Sequence, residues 1–261
     1  TEAALAAAQV IAASVDAQGV YFAAPTMATA NGLLERTMNW ARNTTETGAV
    51  SSLYLAHSKN QLSKPFRDLR FRDINEDADD PSTNGEVVAS SWMSGRRRGL
   101  LSNIVVGTVD QVLMLALRQR YSMLRHAALA GKIIIFDEIH SYGAYTSDYL
   151  ATTLEWLAHY GATVIMMSAT LPSAEREKLI EAYTGNSVEK HSDAYPLITV
   201  ASENSLRYVM PVQSPTNLEA RIAIIDDAIT ALEELLEQLL IDGGVALVIC
   251  NTIARAQEVY S

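Results

Sequence analysis

The sequence predicts an α/β protein with a parallel sheet flanked by helices. Two short apolar runs, 133–136 and 164–167, have the length and composition of strands that are buried on both faces, as parallel strands are. A helix pattern lies between them, which is the strand–helix alternation of this fold class. Apolar residues make up 49% of the 261 residues, so the chain can bury a sizeable core.

Composition limits the classes of function and the compartment. A net charge of −10 argues against nucleic-acid binding over the whole surface, although Arg96 to Arg98 form a local basic cluster. The single cysteine, Cys250, excludes an internal disulfide. No signal peptide and no apolar run near 18 residues is found. We therefore expect a cytoplasmic protein that does not bind or span a membrane.

The strand at 133–136 ends in two adjacent carboxylates, Asp137 and Glu138, and His140 follows. Ligands of open α/β sheets bind beyond the carboxyl ends of the strands, so these three titratable groups lie where chemistry is expected. Two neighbouring acids repel each other unless a cation or ligand compensates, and Mg²⁺ with a nucleotide phosphate would do so. The alternative is a strand that ends in a solvated acidic turn.

The second run ends in Ser168, Ala169 and Thr170. The order of elements resembles motifs II and III of the DExH-box superfamily 2 helicases. It consists of a strand that ends in Asp-Glu-x-His, a helix at 147–160 and a strand that ends in Ser-Ala-Thr. The resemblance implies a RecA-like sheet of the P-loop NTPase type. It implies that Asp137 holds Mg²⁺ on ATP, that Glu138 orients and deprotonates the attacking water, and that His140 links the nucleotide to Ser168 and Thr170. Phosphoryl transfer needs such positioning and charge neutralisation.

The chain begins at Thr1 with an Ala-rich helix pattern. In the resembled family, a G-x-x-x-x-G-K-[ST] phosphate loop leads into such a helix, which implies that Thr1 is the last residue of that loop and a Mg²⁺ ligand. The alternative role for Thr1 is a helix cap. The loop lysine is not among these residues, so we expect the chain to be a fragment.

Three loops resemble the family's contacts to a nucleic-acid backbone. Thr26 follows the predicted strand 19–24, in the place of motif Ia, although a helix-capping threonine is the commoner role. Gly107 and Thr108 follow the predicted strand 104–106 in the place of motif Ib. Asn251 and Thr252 follow the predicted strand 245–250 in the place of motif IV. These residues are the expected contacts to single-stranded DNA.

The flanking phrases narrow the resemblance. Three stretches are similar to the CRISPR-associated helicase–nuclease of type I systems. They are Trp92 with the basic cluster, Val-Gly-Thr-Val-Asp-Gln at 106–111 and His-Ser-Tyr-Gly-Ala-Tyr at 140–145. That family is recruited by an RNA-guided surveillance complex to degrade invading DNA. Residues 73–95, which begin with an acidic stretch rich in turn signals, are predicted to form a surface insertion.

The last part of the chain predicts a second domain. Strands are expected near 195–200 and 207–210. Apolar residues with helical spacing predict one amphipathic helix at 217–240, with a two-stranded coiled coil as the rival interpretation. We expect a first RecA-like domain at 1–205, and a linker with the beginning of a second at 206–261.

The parts together predict a piece of an ATP-dependent helicase that moves along single-stranded DNA. Motifs V and VI and the family's nuclease domain have no match in the chain, so residues 1–261 alone are expected to lack ATPase activity. Two alternatives stay open. Another superfamily 2 motor, such as an RNA helicase or a restriction-enzyme translocase, would keep every motif, and a non-catalytic docking module would keep only the fold.

Overall fold

A computed structural model describes residues 1–45, 49–69, 71–72, 86–90, 93, 98–189, 191–212 and 221–260. The chain forms two compact units, Thr1–Pro211 and Val212–Ser261. The domain division predicted from the sequence lies earlier in the chain, after residue 205, and stays a prediction. None of the helices in the described ranges is long and apolar enough to cross a membrane.

Parallel strands form the centre of the first unit. They are β1 (Gly19–Ala24), β2 (Val50–Ala56), β3 (Phe71–Arg72), β4 (Glu86–Ser90), β5 (Ile104–Thr108), β6 (Lys132–Phe136) and β7 (Val164–Met166). Among the described residues they make one seven-stranded sheet in the order β3-β4-β2-β5-β1-β6-β7. Every pairing in this sheet is parallel. The predicted fold class is confirmed.

Helices lie before, between and after these strands, and parallel pairing requires such crossover connections. They are α1 (Glu2–Val15), α2 (Met27–Thr44), α3 (Lys64–Arg67), α4 (Val109–Leu113), α5 (Ser122–Ala130), α6 (Ala144–His159) and α7 (Ser173–Thr184). Short 3₁₀ turns lie at Asn60–Leu62, Arg98–Leu101, Met114–Ala116 and Ile139–Ser141. Helix α2 packs against β1, β2 and β5.

The core lies on both faces of the sheet. Every residue of β5 and β6 is buried. Successive side chains of a strand point to opposite faces, so continuous burial shows that both faces are covered. Tyr21, Phe22 and Phe136 are among the largest side chains that are completely buried.

The register aligns the ends of four neighbouring strands. Ala23 of β1 pairs with Gly107 of β5 and with Phe136 of β6, and Phe136 pairs with Met166 of β7. The residues that follow β1, β5, β6 and β7 therefore meet at one edge of the sheet. This edge carries the polar residues that the sequence predicts to be functional.

The predicted insertion at 73–95 is wrong for residues 86–90. These residues form β4, which pairs with β2, and Val87 to Ala89 are buried. The predicted insertion extended from the acidic stretch over the short apolar run that follows it, and this run is long enough for a strand. Residues 73–85, 91–92 and 94–97, which include Trp92, Arg96 and Arg97, lie outside the described residues.

A separate hairpin ends the first unit. Strands β8 (Ile198–Ser202) and β9 (Ser205–Val209) pair antiparallel. The first begins later than the strand predicted at 195–200.

Two helices, α8 (Ile229–Leu239) and α9 (Ile253–Tyr260), are the regular elements of the second unit among its described residues. The helix predicted at 217–240 begins only at Ile229, because Asp226 accepts a hydrogen bond from the amide of Ala228 (2.9 Å) and holds a turn there. Residues 213–220 lie outside the described part of the chain. The strand predicted at 245–250 is wrong: among residues 221–260 no strand is present with which it could pair.

Candidate active site

Asp137 continues the end of β6 by one residue. Its amide donates to the carbonyl of Ala23 (3.0 Å), and its own carbonyl accepts from the hydroxyl of Tyr142 (3.0 Å). Burial raises the pKa of the Asp137 carboxyl, and the charge of Glu138 raises it further. Asp137 is therefore an acid whose ionised form needs a nearby positive charge.

Thr1 lies near this carboxyl. Its carbonyl accepts from the amide of Leu5 (3.1 Å), so Thr1 caps α1 with its backbone, while its hydroxyl makes no capping bond. The side chain is only 10% exposed. The backbone nitrogen of Thr1 lies within electrostatic range of the Asp137 carboxyl. The structure thus brings Thr1 and Asp137 together.

Glu138 has a left-handed backbone, with φ 52° and ψ 45°. This conformation costs an L-residue roughly 1 kcal/mol, so surrounding bonds must hold it. The carbonyl of Glu138 accepts from both the amide (2.9 Å) and the hydroxyl (2.7 Å) of Ser141. Its carboxylate is half exposed and lies 3.3 Å from Nε2 of His140.

His140 bridges Glu138 and Ser168. Its Nδ1 lies 3.1 Å from the hydroxyl oxygen of Ser168, and that hydroxyl donates to the carbonyl of Thr170 (2.8 Å). Since the single hydroxyl hydrogen is used there, Ser168 accepts from His140. Ala169, between the two, is exposed and has no polar side-chain atom.

The loops after β6 and β7 are also joined by their backbones. The amide of Ile139 donates to the carbonyl of Met167 (3.1 Å), and the amide of Met167 donates to the carbonyl of Phe136 (2.9 Å). The acid pair and the Ser-Ala-Thr loop therefore form one hydrogen-bonded unit at the edge of the sheet.

An open groove of about 420 Å³ lies beside this unit. Its wall includes Pro25 and Thr26 after β1, Asp110 after β5, and Glu138 and Tyr142 after β6. The groove combines hydroxyl groups with two carboxylates.

The residues predicted to bind DNA belong to both units. Thr26 caps α2: its hydroxyl accepts from the amide of Thr29 (3.1 Å), which is the alternative role named above. Gly107 and Thr108 are buried at the end of β5. Asn251 and Thr252 belong to the second unit and are exposed, and Thr252 accepts from the amide of Arg255 (3.2 Å).

Sequence reasoning missed Ser141 and Tyr142 as parts of the site. Both follow the Asp-Glu-Ile-His phrase directly, but their role depends on the turn that folds them back onto the acid pair. His57, which follows β2, is buried, and its Nε2 lies 3.1 Å from the amide oxygen of Asn31.

A family model matches most of the chain. Residues 1–179 match the model of the DEAD/DEAH box helicases. The chain belongs to the DEAD/DEAH box helicase family. The match contains the Asp-Glu-Ile-His phrase and the Ser-Ala-Thr loop.

Relatives that match this chain along most of its length are CRISPR-associated proteins, as the narrower resemblance predicts. The chain is 36% identical over 99% of its length to the CRISPR-associated nuclease/helicase Cas3 of Streptococcus thermophilus, of which it spans 29%. It superimposes on a crystal structure of T. fusca Cas3 with AMPPNP at a TM-score of 0.83 and 30% identity, covering 100% of this chain and 30% of that one. A chain of a pre-nicking CRISPR RNA-guided surveillance complex matches at a TM-score of 0.68 and 26% identity, with 99% of this chain and 28% of that chain covered. The chain is thus a homologue of part of Cas3.

Proposed function

We propose that this chain is the first motor domain, with the beginning of a second, of an ATP-dependent single-stranded DNA translocase that acts in CRISPR interference. One observation carries the proposal: the His140 ring contacts Glu138 of the acid pair at 3.3 Å and the Ser168 hydroxyl after β7 at 3.1 Å. An arrangement of this kind can transmit a change at a nucleotide to a neighbouring loop.

Asp137 and Glu138 differ in setting, which supports two different roles. Asp137 is partly buried and has a raised pKa, whereas the Glu138 side chain is 48% exposed and lines the open groove. Asp137 is suited to hold a cation, and Glu138 is suited to orient a water molecule and take its proton.

The donor set fits Mg²⁺ with a nucleotide. Mg²⁺ is commonly bound through one or two carboxylates with phosphates and waters completing its shell. Among the described residues no group of three or more His, Cys, Asp or Glu side chains is placed to hold a metal ion, so phosphates and waters would complete the shell of an ion at Asp137. Asp137 and the Thr1 hydroxyl would hold the ion, which when bound would neutralise phosphate charge. The AMPPNP in the T. fusca relative supports ATP as the nucleotide.

Single-stranded DNA is the proposed track, and an RNA-guided surveillance complex is the proposed partner. The relative in a surveillance complex supports that partner. Thr26, Asn251 and Thr252 remain proposed contacts to the DNA backbone. Gly107 and Thr108 also remain proposed contacts, and because both are buried, they would act through the backbone of the loop that follows β5.

ATP hydrolysis by the full-length protein tests the proposal. Its rate should rise on adding single-stranded DNA and should rise much less with RNA of the same sequence and length. Stimulation by RNA alone would identify a different motor on the same fold. A protein that binds no ATP would overturn the proposal in favour of a docking module.

A further inference from the structure

The backbone carbonyls of both acids are held by the two residues that close the following turn. Ser141 donates twice to the carbonyl of Glu138, and the hydroxyl of Tyr142 donates to the carbonyl of Asp137 at 3.0 Å. The peptide units on both sides of the left-handed Glu138 are thus fixed. The acids owe their positions to these bonds as well as to the end of β6.

Tyr142, unlike Ser141, connects the turn with other loops. The Ser141 bonds close a local turn of three residues, as many turns do. The Tyr142 ring instead lines the groove together with Pro25, Thr26 and Asp110, and is partly buried. One side chain therefore connects the backbone of Asp137 with the surface formed by the loops after β1 and β5.

The Tyr142 hydroxyl donates its hydrogen to the Asp137 carbonyl, as only an un-ionised phenol can.

From this geometry we propose that Tyr142 is a positioning residue of the nucleotide site: its hydroxyl fixes the Asp137 backbone, and with it the carboxylate that would hold Mg²⁺. The inference rests on the proposed function. Tyr142 does not touch the reacting atoms, so its contribution is the placement of Asp137.

The test compares Tyr142→Phe with Tyr183→Phe in the full-length protein. The Tyr183 hydroxyl also donates to a backbone carbonyl, that of Ala162 (2.9 Å), and is likewise partly buried, so both variants lose one bond of the same kind. Calorimetry measures the affinity for ADP with and without Mg²⁺, and steady-state kinetics give kcat and KM for ATP. Thermal unfolding shows whether the two variants lose similar stability.

We expect Tyr142→Phe to lower the Mg²⁺-dependent gain in ADP affinity, and kcat, by about fivefold to tenfold, which is the effect of losing one net hydrogen bond. ADP affinity without Mg²⁺ should be unchanged. Tyr183→Phe should change each quantity by no more than about twofold, as a substitution remote from the site does. If the role of Tyr142 were purely structural, Tyr142→Phe would lower the thermal stability and leave ADP affinity and kcat unchanged.

The outcomes separate the two proposals. Suppose that the wild type shows Mg²⁺-dependent ADP binding and that Asp137→Asn loses it. Equal ADP affinities and kcat values for Tyr142→Phe and Tyr183→Phe would then overturn only the role of Tyr142. A wild type without Mg²⁺-dependent ADP binding would overturn the proposed function itself.

Discussion

Nδ1 of His140 lies 3.1 Å from the hydroxyl oxygen of Ser168, which joins the loop after β6 to the loop after β7. Nε2 of the same ring lies 3.3 Å from the carboxylate of Glu138. One imidazole therefore contacts both the proposed water-orienting acid and the neighbouring loop. A movement of either loop must change this contact.

We predict that His140→Ala and Ser168→Ala each reduce the stimulation of ATP hydrolysis by single-stranded DNA by about threefold to tenfold, since each loses the same hydrogen bond. The double variant should be no worse than the worse single variant, because residues that share one contact are not additive. Ser147→Ala serves as the control: its hydroxyl donates to the carbonyl of Gly143 (3.3 Å), away from Ser168. Additive losses would show that the contact does not couple the loops.

Gly107 has a packing role that can be tested separately from DNA binding. A Cβ atom at this position would lie 2.3 Å from the Tyr21 hydroxyl and 2.7 Å from Cβ of Ala56. We expect Gly107→Ala to lower the free energy of unfolding by about 1–3 kcal/mol, through overpacking between adjacent strands. Denaturant unfolding measures it.

Gly32 provides the matched control, since nothing lies within 4 Å of a Cβ built there in α2. Gly32→Ala should stabilise the protein by about 0.5–1 kcal/mol, because glycine is unfavourable inside a helix. Adding Tyr21→Phe to Gly107→Ala should recover part of the loss by removing the nearest atom. A neutral Gly107→Ala variant would show that Tyr21 of β1 and Ala56 of β2 move away from β5 easily.

Lys132 predicts a pH dependence of stability. It is buried, its amine donates to the carbonyl of Ala128 (2.7 Å), and burial lowers its pKa to about 8. Between about pH 8 and the ordinary lysine pKa of about 10.4, the unfolded chain binds a proton that the folded chain does not. Stability from this residue should therefore rise with pH across that window and stay constant below it.

Replacing Lys132 by Met removes the buried charge. We expect Lys132→Met to raise the free energy of unfolding at pH 7 by about 1–2 kcal/mol, after subtracting the lost hydrogen bond. The difference between this variant and the wild type should shrink by pH 10. Lys59→Met, at an exposed position, should show neither effect. A difference that is the same at both pH values would contradict the lowered pKa.

The central strands could be predicted because buried parallel strands have a simple signature. The apolar runs that became β1, β5, β6 and β7 are short, continuous and followed by polar residues. The position of the polar loop residues could also be predicted, since the carboxyl ends of neighbouring parallel strands meet at one edge of the sheet.

Other features depend on distant partners and could not be predicted in this way. Residues 86–90 form a strand because β2 offers an edge with which to pair. Residues 245–250 have the composition of a strand, yet no strand pairs with them among the described residues of their unit. The hydroxyl of Tyr142 reaches Asp137 only because a 3₁₀ turn at Ile139–Ser141 reverses the chain.

ATP hydrolysis by the full-length protein and its Asp137→Asn and Glu138→Gln variants tests the assignment of the acid pair most directly. We predict that both variants lose hydrolysis by a factor of about 10² or more, the scale expected when a general base or a charge-positioning group is removed. Glu138→Gln should still bind ATP with Mg²⁺, whereas Asp137→Asn should bind it more weakly. Hydrolysis at the wild-type rate in both variants would contradict the assignment.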